Sequence, residues 1–358
     1  MRILDALGQA REWTTLLERL PRALQDIYFS PEYAALHRFD QGTRALLFAY
    51  ERGDGALWLY PFLLQPVEPI GPERVGEGWF DIETPYGYGG PLASDSDAGF
   101  LADAHAAFAE WCAASKVVAE FARLHPLICN ERWMDSRAEV VYDRETVSLN
   151  LQGFDALSLE EVPFDKMTRY MLRRASNLEI EIEDAPSQAS CAEFVRLYGM
   201  TMGRLGANDY YYFSEEYFEG LRRVVQKSGW LVWARAGAER VAAALFLKGE
   251  TLLHYHLSAS DPERRAPGAT NRLIYEAARL GAKQGLEALH LGGGITGAED
   301  DSLLKFKRRM GTRAHPFRTA RRVHQPQIYE RLREAWARAY PALAEKYGRR
   351  LLCYRTRI

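Results

Sequence analysis

Cysteine is scarce in this sequence. There are four in 358 residues, and they form neither a Cys-x-x-Cys pair nor a cluster with histidine. This spacing argues against a zinc site and against a disulfide framework, so no metal is expected. A reducing cytosol is the simplest compartment for such a chain. The four are Cys112, Cys129, Cys191 and Cys353.

Long hydrophobic runs are also absent. No apolar segment approaches the roughly 20 residues that cross a bilayer. The N-terminal stretch MRILDALGQAREWTT lacks the basic region and apolar core of a secretory signal. We therefore expect a cytoplasmic protein without integral membrane association. The sequence contains no Walker loop, no Gly-x-Ser-x-Gly motif and no zinc-protease helix, which argues against those enzyme classes.

Charge is balanced overall but uneven along the chain. The formal net charge is -2, yet residues 303–358 contain 16 Lys and Arg against three acids. A basic segment of this kind is typical of proteins that bind phosphates, in a nucleic acid, a nucleotide-linked substrate or a coenzyme. The equally favoured interpretation is that these arginines offset an acidic body.

The order of predicted elements suggests a repeated unit. At 358 residues the chain exceeds the size at which one core usually stops growing. The first half has a hairpin at 44–51 and 56–65, then a helix at 98–115 and a strand at 117–124. The second half has the same order of elements: strands near 230–259, a helix from 269 and a strand at 288–291. Other predictions are a basic helix at 163–177, separate strands at 138–142 and from 146, and one long helix at 325–349. The domain prediction is 1–145 plus 323–358, with 146–322 as the second domain.

The segment from 251 to 312 contains the densest functional signals. It predicts a strand, a basic loop with glycine, an amphipathic helix, a second strand ending in Gly-Gly-Gly, and a basic Phe-Lys-Arg-Arg stretch. A strand that leads into a glycine loop and a helix N-terminus can present backbone N–H groups to an anion. Acyl or phosphoryl transfer is the chemistry that this arrangement favours.

The same segment resembles a known family. The predicted order of strand, two helices, three strands, helix and strand resembles that of the GNAT acetyltransferase fold. The pyrophosphate loop of that fold resembles Arg265-Ala266-Pro267-Gly268-Ala269-Thr270, except that this chain has threonine in the last place. The segment also resembles the FemABX family of tandem-GNAT aminoacyltransferases, in the stretches HYHLSASDPE, LHLGGG and LLKFKRRMG. The resemblance is to family members that have no coiled-coil arm. Three further stretches resemble this family: Tyr198-x-x-Thr201-Met202-x-Arg204, YYFSEEYF at 211–218 and TPYGYGGP at 84–91. The resemblance spans nearly the whole chain and implies an α+β fold of two GNAT-like domains.

The resemblance implies roles for individual residues. Lys307 and Phe306 match the family's Phe-Lys motif, so Lys307 is the candidate for stabilising the oxyanion or the donor ester. Arg204, Tyr211, Tyr255 and Arg309 are candidates for binding a nucleotide-linked amine acceptor. Arg265, Gly268 and Thr270 are candidates for binding a coenzyme pyrophosphate. Without the resemblance, a solvated helix face would be the preferred interpretation of 305–309.

Several side chains leave their roles open. His254 and His256 share one face of a strand and suit proton transfer, although satisfied sheet histidines are more common. Asp81 and Glu83 can accept an amine proton or simply stabilise a turn. His37 or Arg38 falls near the first-domain position where the family uses a basic residue on its acceptor.

The implied reaction is amide formation. Aminoacyl-tRNA would be the co-substrate, with no bound cofactor, and the acceptor would be an amine of a peptidoglycan precursor or a related compound. An acyl-CoA-dependent N-acyltransferase is the second hypothesis. A non-catalytic nucleic-acid-binding module is the third.

Overall fold

The structure is a computed structural model that describes residues 1–38, 42–207, 212–264 and 266–357. The chain divides into two compact units. Unit 1 comprises Met1–Leu24, Tyr28–Asp143 and Phe317–Ile358, and unit 2 comprises Gln25–Ile27 and Arg144–Pro316. The long middle segment of the sequence therefore forms most of unit 2, while unit 1 needs residues from both sides of it.

The elements are numbered here in chain order. The strands are β1 Arg2–Asp5, β2 Arg44–Glu51, β3 Leu57–Pro66, β4 Phe80–Glu83, β5 Leu92–Ala93, β6 Val117–Arg123, β7 Glu139–Asn150, β8 Glu179–Glu183, β9 Gly229–Ala236, β10 Glu239–Lys248, β11 Leu252–Ser260, β12 Ala288–Gly293 and β13 Arg313–Val323. The α-helices are α1 Ala10–Glu18, α2 Pro31–Ala35, α3 Ala98–Ala114, α4 Lys166–Arg174, α5 Gln188–Leu205, α6 Glu215–Ser228, α7 Ala269–Lys283, α8 Ser302–Arg308, α9 Pro326–Ala339 and α10 Pro341–Tyr347.

Unit 1 contains a mixed sheet in the order β1-β2-β3-β4-β6-β13. Neighbouring strands are antiparallel except β4 and β6, which run parallel. A parallel pair needs a crossover, and α3 provides it. Helix α9 covers this sheet with buried Leu332 and Trp336, in a core that also holds Tyr354.

Unit 2 repeats this plan. Its strands follow the order β7-β12-β11-β10-β9-β8. Again one neighbouring pair is parallel, β11 with β12, and α7 makes the crossover between them. The core lies between α7 and the sheet and includes Leu273, Ile274 and Ala278 on the inner face of the helix. Each unit therefore contains one β-α-β crossover set among antiparallel strands.

Three predicted elements were wrong in detail. Strands at 138–142 and from 146 are one continuous strand, β7, because nothing between them is a chain breaker. The single long helix at 325–349 is two helices, α9 and α10, since Tyr340 precedes Pro341 and leaves the α region with φ -134° and ψ 64°. Helix α4 is shorter than the predicted 163–177 and begins after Asp165, whose side chain accepts a hydrogen bond from the Thr168 backbone N–H.

Ion pairs neutralise much of the basic C-terminal segment. Within unit 1, carboxylates lie within 4.0 Å of many of its arginines. These contacts favour the interpretation that the arginines offset acidic groups of the body. The pairs are Arg318–Glu131, Arg321–Glu139, Arg322–Asp135, Arg338–Glu334, Arg355–Asp81 and Arg357–Glu68.

The two first-domain carboxylates have structural partners. Asp81 is fully buried and accepts hydrogen bonds from the Tyr354 hydroxyl at 2.8 Å and the Arg355 guanidinium at 3.1 Å. Burial raises the pKa of Asp81 to about 6, against the opposing effect of Arg355. Glu83 pairs with Arg123 at 2.7 Å. Both side chains therefore hold unit 1 together.

Candidate active site

The candidate site in unit 2 begins where β11 and β12 separate. The two strands pair in parallel from Leu252 with Ala288 to His254 with His290. Among the described residues no pairs follow, although β11 continues to Ser260 and β12 to Gly293. Tyr255 is the first residue beyond the last pair. Separated parallel strands leave backbone groups on their facing edges available to a ligand.

Lys307 is directed at the end of β12. It lies on the short helix α8, is only 8% exposed, and its Nζ donates a hydrogen bond of 2.7 Å to the Gly293 carbonyl. Its Nζ also lies 6.0 Å from the centre of the Tyr255 ring. The interpretation of 305–309 as a wholly solvated helix face is therefore wrong at Lys307. The structure brings together Lys307 and Tyr255, two of the predicted site residues.

Burial alters the proton affinity of this lysine. Loss of hydration lowers the pKa of Lys307 to about 7, and the Asp301 carboxylate acts in the opposite direction. An amine with a pKa near neutrality exists in both protonation states at physiological pH, which suits proton transfer to or from a reacting oxygen. Burial also raises the pKa of the Tyr255 hydroxyl to about 12, so that it stays protonated as a donor.

Asp301 organises the backbone around Lys307. One carboxylate oxygen caps α8 by accepting the Leu304 N–H at 2.9 Å. The other accepts the N–H groups of Ile295 and Thr296, both at 2.9 Å. A side chain on Gly294 would collide with this carboxylate. One residue therefore fixes both the helix that carries Lys307 and the loop that follows its carbonyl partner.

Close backbone packing fixes the far end of α8. A Cβ on Gly311 would overlap the Val147 side chain on β7, so only glycine fits there. Arg308 pairs with Glu145 at 2.7 Å, and Arg309 lies 3.6 Å from Asp165. These contacts hold α8 against β7 and the start of α4.

Phe306 and Arg309 lie on either side of Lys307 in different surroundings. Phe306 is half-buried and packs against the unit 2 core. The Arg309 side chain is 52% exposed, and its carbonyl accepts hydrogen bonds from the Asp165 backbone N–H and the Thr168 hydroxyl. Phe306 is placed to shape the surroundings of Lys307, whereas Arg309 faces solvent.

Helix α4 packs against the predicted pyrophosphate loop at Gly268. Gly268 caps α7 with φ +87°, as a left-handed N-cap glycine can. Its Cα lies against the Met171 carbonyl of α4, with no room for a Cβ. Ala269 is buried and Thr270 half-buried, while Arg265 lies outside the described residues. The loop is therefore closely packed at Gly268, whereas Pro267 is exposed.

The other described candidates have surroundings of their own. Arg204 lies exposed on the last turn of α5 and has no carboxylate partner among the described residues. Tyr211 falls outside those residues. His254 is buried and hydrogen-bonded to Asp26 at 2.7 Å, and His256 bonds to the Tyr217 hydroxyl at 3.2 Å. Both histidines therefore have structural partners, as the commoner interpretation predicted.

Sequence reasoning missed three contributors. The Gly293 carbonyl carries no sequence signal, because any residue supplies a carbonyl. Asp301, which precedes Ser-Leu-Leu-Lys-Phe, is an ordinary N-cap signal that could have been recognised. Arg144, which donates to the Gly294 and Ile295 carbonyls at 3.1 and 2.8 Å, is about 150 residues distant in sequence.

Comparison with known proteins agrees with this architecture. Residues 164–308 match the sequence profile of the acetyltransferase (GNAT) domain. The crystal structure of FemX is similar over 92% of this chain and 99% of that one, with a TM-score of 0.68 and 14% identity. The chain has the fold of two GNAT domains in tandem. The expected resemblance to the Fem family is thereby confirmed at the level of fold.

Other solved structures are similar as well. L-PGS from Bacillus licheniformis has a TM-score of 0.57 and 14% identity, over 87% of this chain and 91% of its own. A tandem GNAT protein from the clavulanic acid biosynthesis pathway has a TM-score of 0.50 and 10% identity, over 90% and 98%. The search of curated proteins finds no match. No helix of the described residues is long and apolar enough to cross a bilayer.

Proposed function

We propose that this tandem GNAT protein is an N-acyltransferase that moves an aminoacyl group from aminoacyl-tRNA to an amine and forms an amide. The observation that carries the proposal is the buried Lys307, held against Gly293 where β11 and β12 separate. The reaction would take place where charged tRNA is available, in the cytosol. The first acceptor to test is the amine of a peptidoglycan precursor, followed by other nucleotide-linked or small amines.

The chemistry follows from the position of the amine. The acceptor nitrogen attacks the ester carbonyl, and the carbonyl oxygen becomes an oxyanion that needs a donor. Protonated Lys307 supplies this donor, and the centre of the Tyr255 ring lies 6.0 Å from its Nζ. The attacking nitrogen loses a proton as the amide forms, and the leaving ribose oxygen takes one up when the ester bond breaks. An amine with a pKa near 7 can deliver a proton to that oxygen and regain the one released by the nitrogen, so the protons balance.

The close packing of α4 on Gly268 supports tRNA over acyl-CoA as donor, although the pocket beside Ala266 and Pro267 is open. A coenzyme diphosphate needs free N–H groups at the start of α7, and α4 lies against Gly268 there. The acetyltransferase description of the matching profile favours the acyl-CoA alternative. Acyl-CoA requires free N–H groups in this loop and aminoacyl-tRNA does not, so an experiment can distinguish the two donors.

The decisive experiment compares donors directly. The full chain is incubated with tRNA charged with radiolabelled amino acids and with candidate amines, and amide product and deacylated tRNA are measured. We expect acceptor-dependent deacylation of tRNA. Turnover of acetyl-CoA without turnover of charged tRNA would establish the alternative and overturn the proposal. Binding of RNA without turnover of either donor would favour a non-catalytic module.

A further inference from the structure

Helix α4 has an outer face that the acyl-transfer site does not use. Thr168, Leu172 and Ala175 point inward and are buried. The opposite side chains are all exposed and recur at helical spacing, so they form one continuous strip. We call this strip the α4 face; it consists of Lys166, Met167, Tyr170, Arg173, Arg174 and Asn177.

The α4 face is basic and contains an exposed aromatic ring. Helix α4 contains four cations and no acid. Arg173 pairs with exposed Glu160, but Lys166 and Arg174 have no carboxylate partner among the described residues. Tyr170 is 50% exposed, and the Arg174 guanidinium lies 5.9 Å from its ring centre. In this respect α4 differs from the C-terminal arginines, many of which have carboxylate partners.

The position of α4 links two parts of the candidate site. At its start, the Asp165 N–H and the Thr168 hydroxyl bond to the Arg309 carbonyl, just beyond the helix that carries Lys307. At its end, Met171 lies against Gly268. The helix has nine residues and so extends about 13 Å. A strand of two or three nucleotides can follow a face of this length.

A pocket lies at the end of the α4 face. It has a volume of about 310 Å³, and Arg174 and Asn177 line it together with Ala266, Pro267 and Arg264. Arg264 is already paired with Asp261 and with Glu239, a carboxylate that also lines the pocket. The unpaired Arg174 and the exposed Asn177 amide are therefore the groups free to contact a phosphate or a base edge. A pocket of this volume is at the lower end of those that hold small ligands.

We propose that the α4 face binds the single-stranded 3′ end of an RNA donor, with Tyr170 stacking on a base and Lys166 and Arg174 contacting phosphates. Exposed aromatic and cationic side chains in a row are the usual means of binding single-stranded nucleic acid. An anionic membrane is the competing partner for such a strip, but only Met167 and Tyr170 offer apolar area on a nine-residue helix. This inference rests on the proposed use of aminoacyl-tRNA and assigns the surface that holds it.

The first experiment measures binding of a fluorescein-labelled hexanucleotide RNA ending in CCA to the full chain by anisotropy. We expect Tyr170→Ala to weaken binding about tenfold, as the loss of one stacked base implies, whereas Tyr170→Phe keeps the ring and binds as wild type. Arg174→Ala should weaken binding and lower the slope of log K against log salt by about 0.7, one phosphate contact.

Matched controls exclude a general loss of charge or aromatic surface. Tyr142→Ala and Arg338→Ala each remove an equally exposed side chain elsewhere, with exposed fractions of 58% for Tyr142 and 70% for the Arg338 side chain. Both control variants should bind RNA as wild type does. Circular dichroism of each variant confirms that the fold is retained.

The possible outcomes separate this inference from the proposed function. If charged tRNA is used and Tyr170→Ala and Arg174→Ala change neither RNA affinity nor kcat/KM, the α4 assignment is wrong and the proposed function stands. If the wild type binds phosphatidylglycerol vesicles but not the RNA, and the α4 variants lose that binding, the surface belongs to a membrane and the inference is overturned. If the RNA does not bind and charged tRNA is inert, both fail together.

Discussion

The two units contain the same β-α-β crossover but treat the end of the parallel pair differently. In unit 1, the chain after β4 returns to β6, where Thr84 N–H donates to the Phe121 carbonyl at 3.1 Å and Gly89 N–H to the Arg123 carbonyl at 2.7 Å. In unit 2, β11 and β12 separate after three pairs, and the amine of Lys307 takes the carbonyl at the end of β12. Backbone hydrogen bonds continue past the end of the parallel pair in unit 1, whereas in unit 2 a titratable side chain bonds to the end of β12.

Two copies of one fold can therefore end their parallel pairs with different groups. The closure in unit 1 is completed by Asn130, which is fully buried. Its amide donates to the Gly89 and Pro91 carbonyls at 2.7 and 3.0 Å, and its oxygen accepts from the His125 N–H. Unit 1 therefore satisfies its strand ends internally and has no need of a ligand there.

The largest effect is expected when the amine of Lys307 is removed from the place where β11 and β12 separate. Lys307→Ala should lower kcat/KM for aminoacyl transfer by about 100- to 1,000-fold, as the loss of one oxyanion donor does. Lys305→Ala, an exposed lysine on the same helix, is the control and should change the rate less than about twofold. If Lys307→Ala and wild type had equal rates, the side chain at the end of β12 would have no part in the reaction, and the two units would not differ in function at this position.

Opening the closure of unit 1 should affect stability rather than chemistry. Asn130→Ala leaves two buried carbonyls without donors and should lower the free energy of unfolding by about 2–3 kcal/mol. Asn150→Ala, at an exposed asparagine, should stay within about 0.5 kcal/mol of wild type. Urea denaturation monitored by tryptophan fluorescence measures both. If the two variants were equally stable, the closure of unit 1 would be incidental.

Lys307 should also impose a measurable cost on folding. Its pKa is about 7 in the folded state and 10.5 in the unfolded chain, so below pH 7 the folded protein buries a charged amine. Between about pH 7 and 10.5 the amine is protonated in the unfolded chain but neutral in the folded protein. Stability due to this group therefore rises with pH across that interval. Lys307→Met should be more stable than wild type at pH 6.5 by of order 2 kcal/mol, since a buried charge is replaced by an apolar chain.

The pH dependence of that variant provides the test. The stability difference between Lys307→Met and wild type should shrink as the pH is raised from 7 toward 10, in denaturant melts at several pH values. A difference that is independent of pH would mean that Lys307 is not desolvated in solution.

The smallest expected effect concerns Asp301. Asp301→Asn keeps the oxygen that caps α8 and removes the negative charge that raises the pKa of Lys307. It also replaces the oxygen that accepts the Ile295 and Thr296 N–H groups with an amide donor, so circular dichroism must show the wild-type fold before the pH profiles are compared. If protonated Lys307 is the donor, activity falls as the pH exceeds its pKa, and this alkaline limb should move to lower pH by a fraction of a unit. Asp300→Asn, an exposed neighbour, should leave the profile of kcat/KM unmoved. Coincident profiles for all three proteins would exclude electrostatic coupling between Asp301 and Lys307.

Much of the fold could be predicted because local patterns determine it. The hairpin of β2 and β3 and the helix α3 occur within a residue or two of their predicted bounds, since alternation, an Asp-Gly turn and an N-cap at Asp97 mark them. The break between α9 and α10 was missed although Pro341 was visible, because the apolar spacing continues across it. The continuity of β7 was missed because Asp143 and Arg144 suggest a loop.

The site could be predicted only in part. Lys307 and Tyr255 were identified by resemblance, but their meeting depends on where β11 and β12 part, and strand register leaves no mark in the sequence. The shielding of Gly268 by α4 depends on tertiary packing between segments about 100 residues apart. Such contacts require the three-dimensional structure.

The C-terminal segment of unit 1 also bears on the order of assembly. Tyr354 and Arg355 bond to the buried Asp81, and the Trp336 indole donates to the Thr356 carbonyl at 2.8 Å. During synthesis, β1–β6 emerge first, yet their core stays incomplete until residues 317–357 have left the ribosome. Unit 2 lies between them in sequence, so most of it is synthesised before unit 1 can close. We therefore expect the earliest-made part of this protein to be among the last to become native, with apolar surface exposed to aggregation in the meantime.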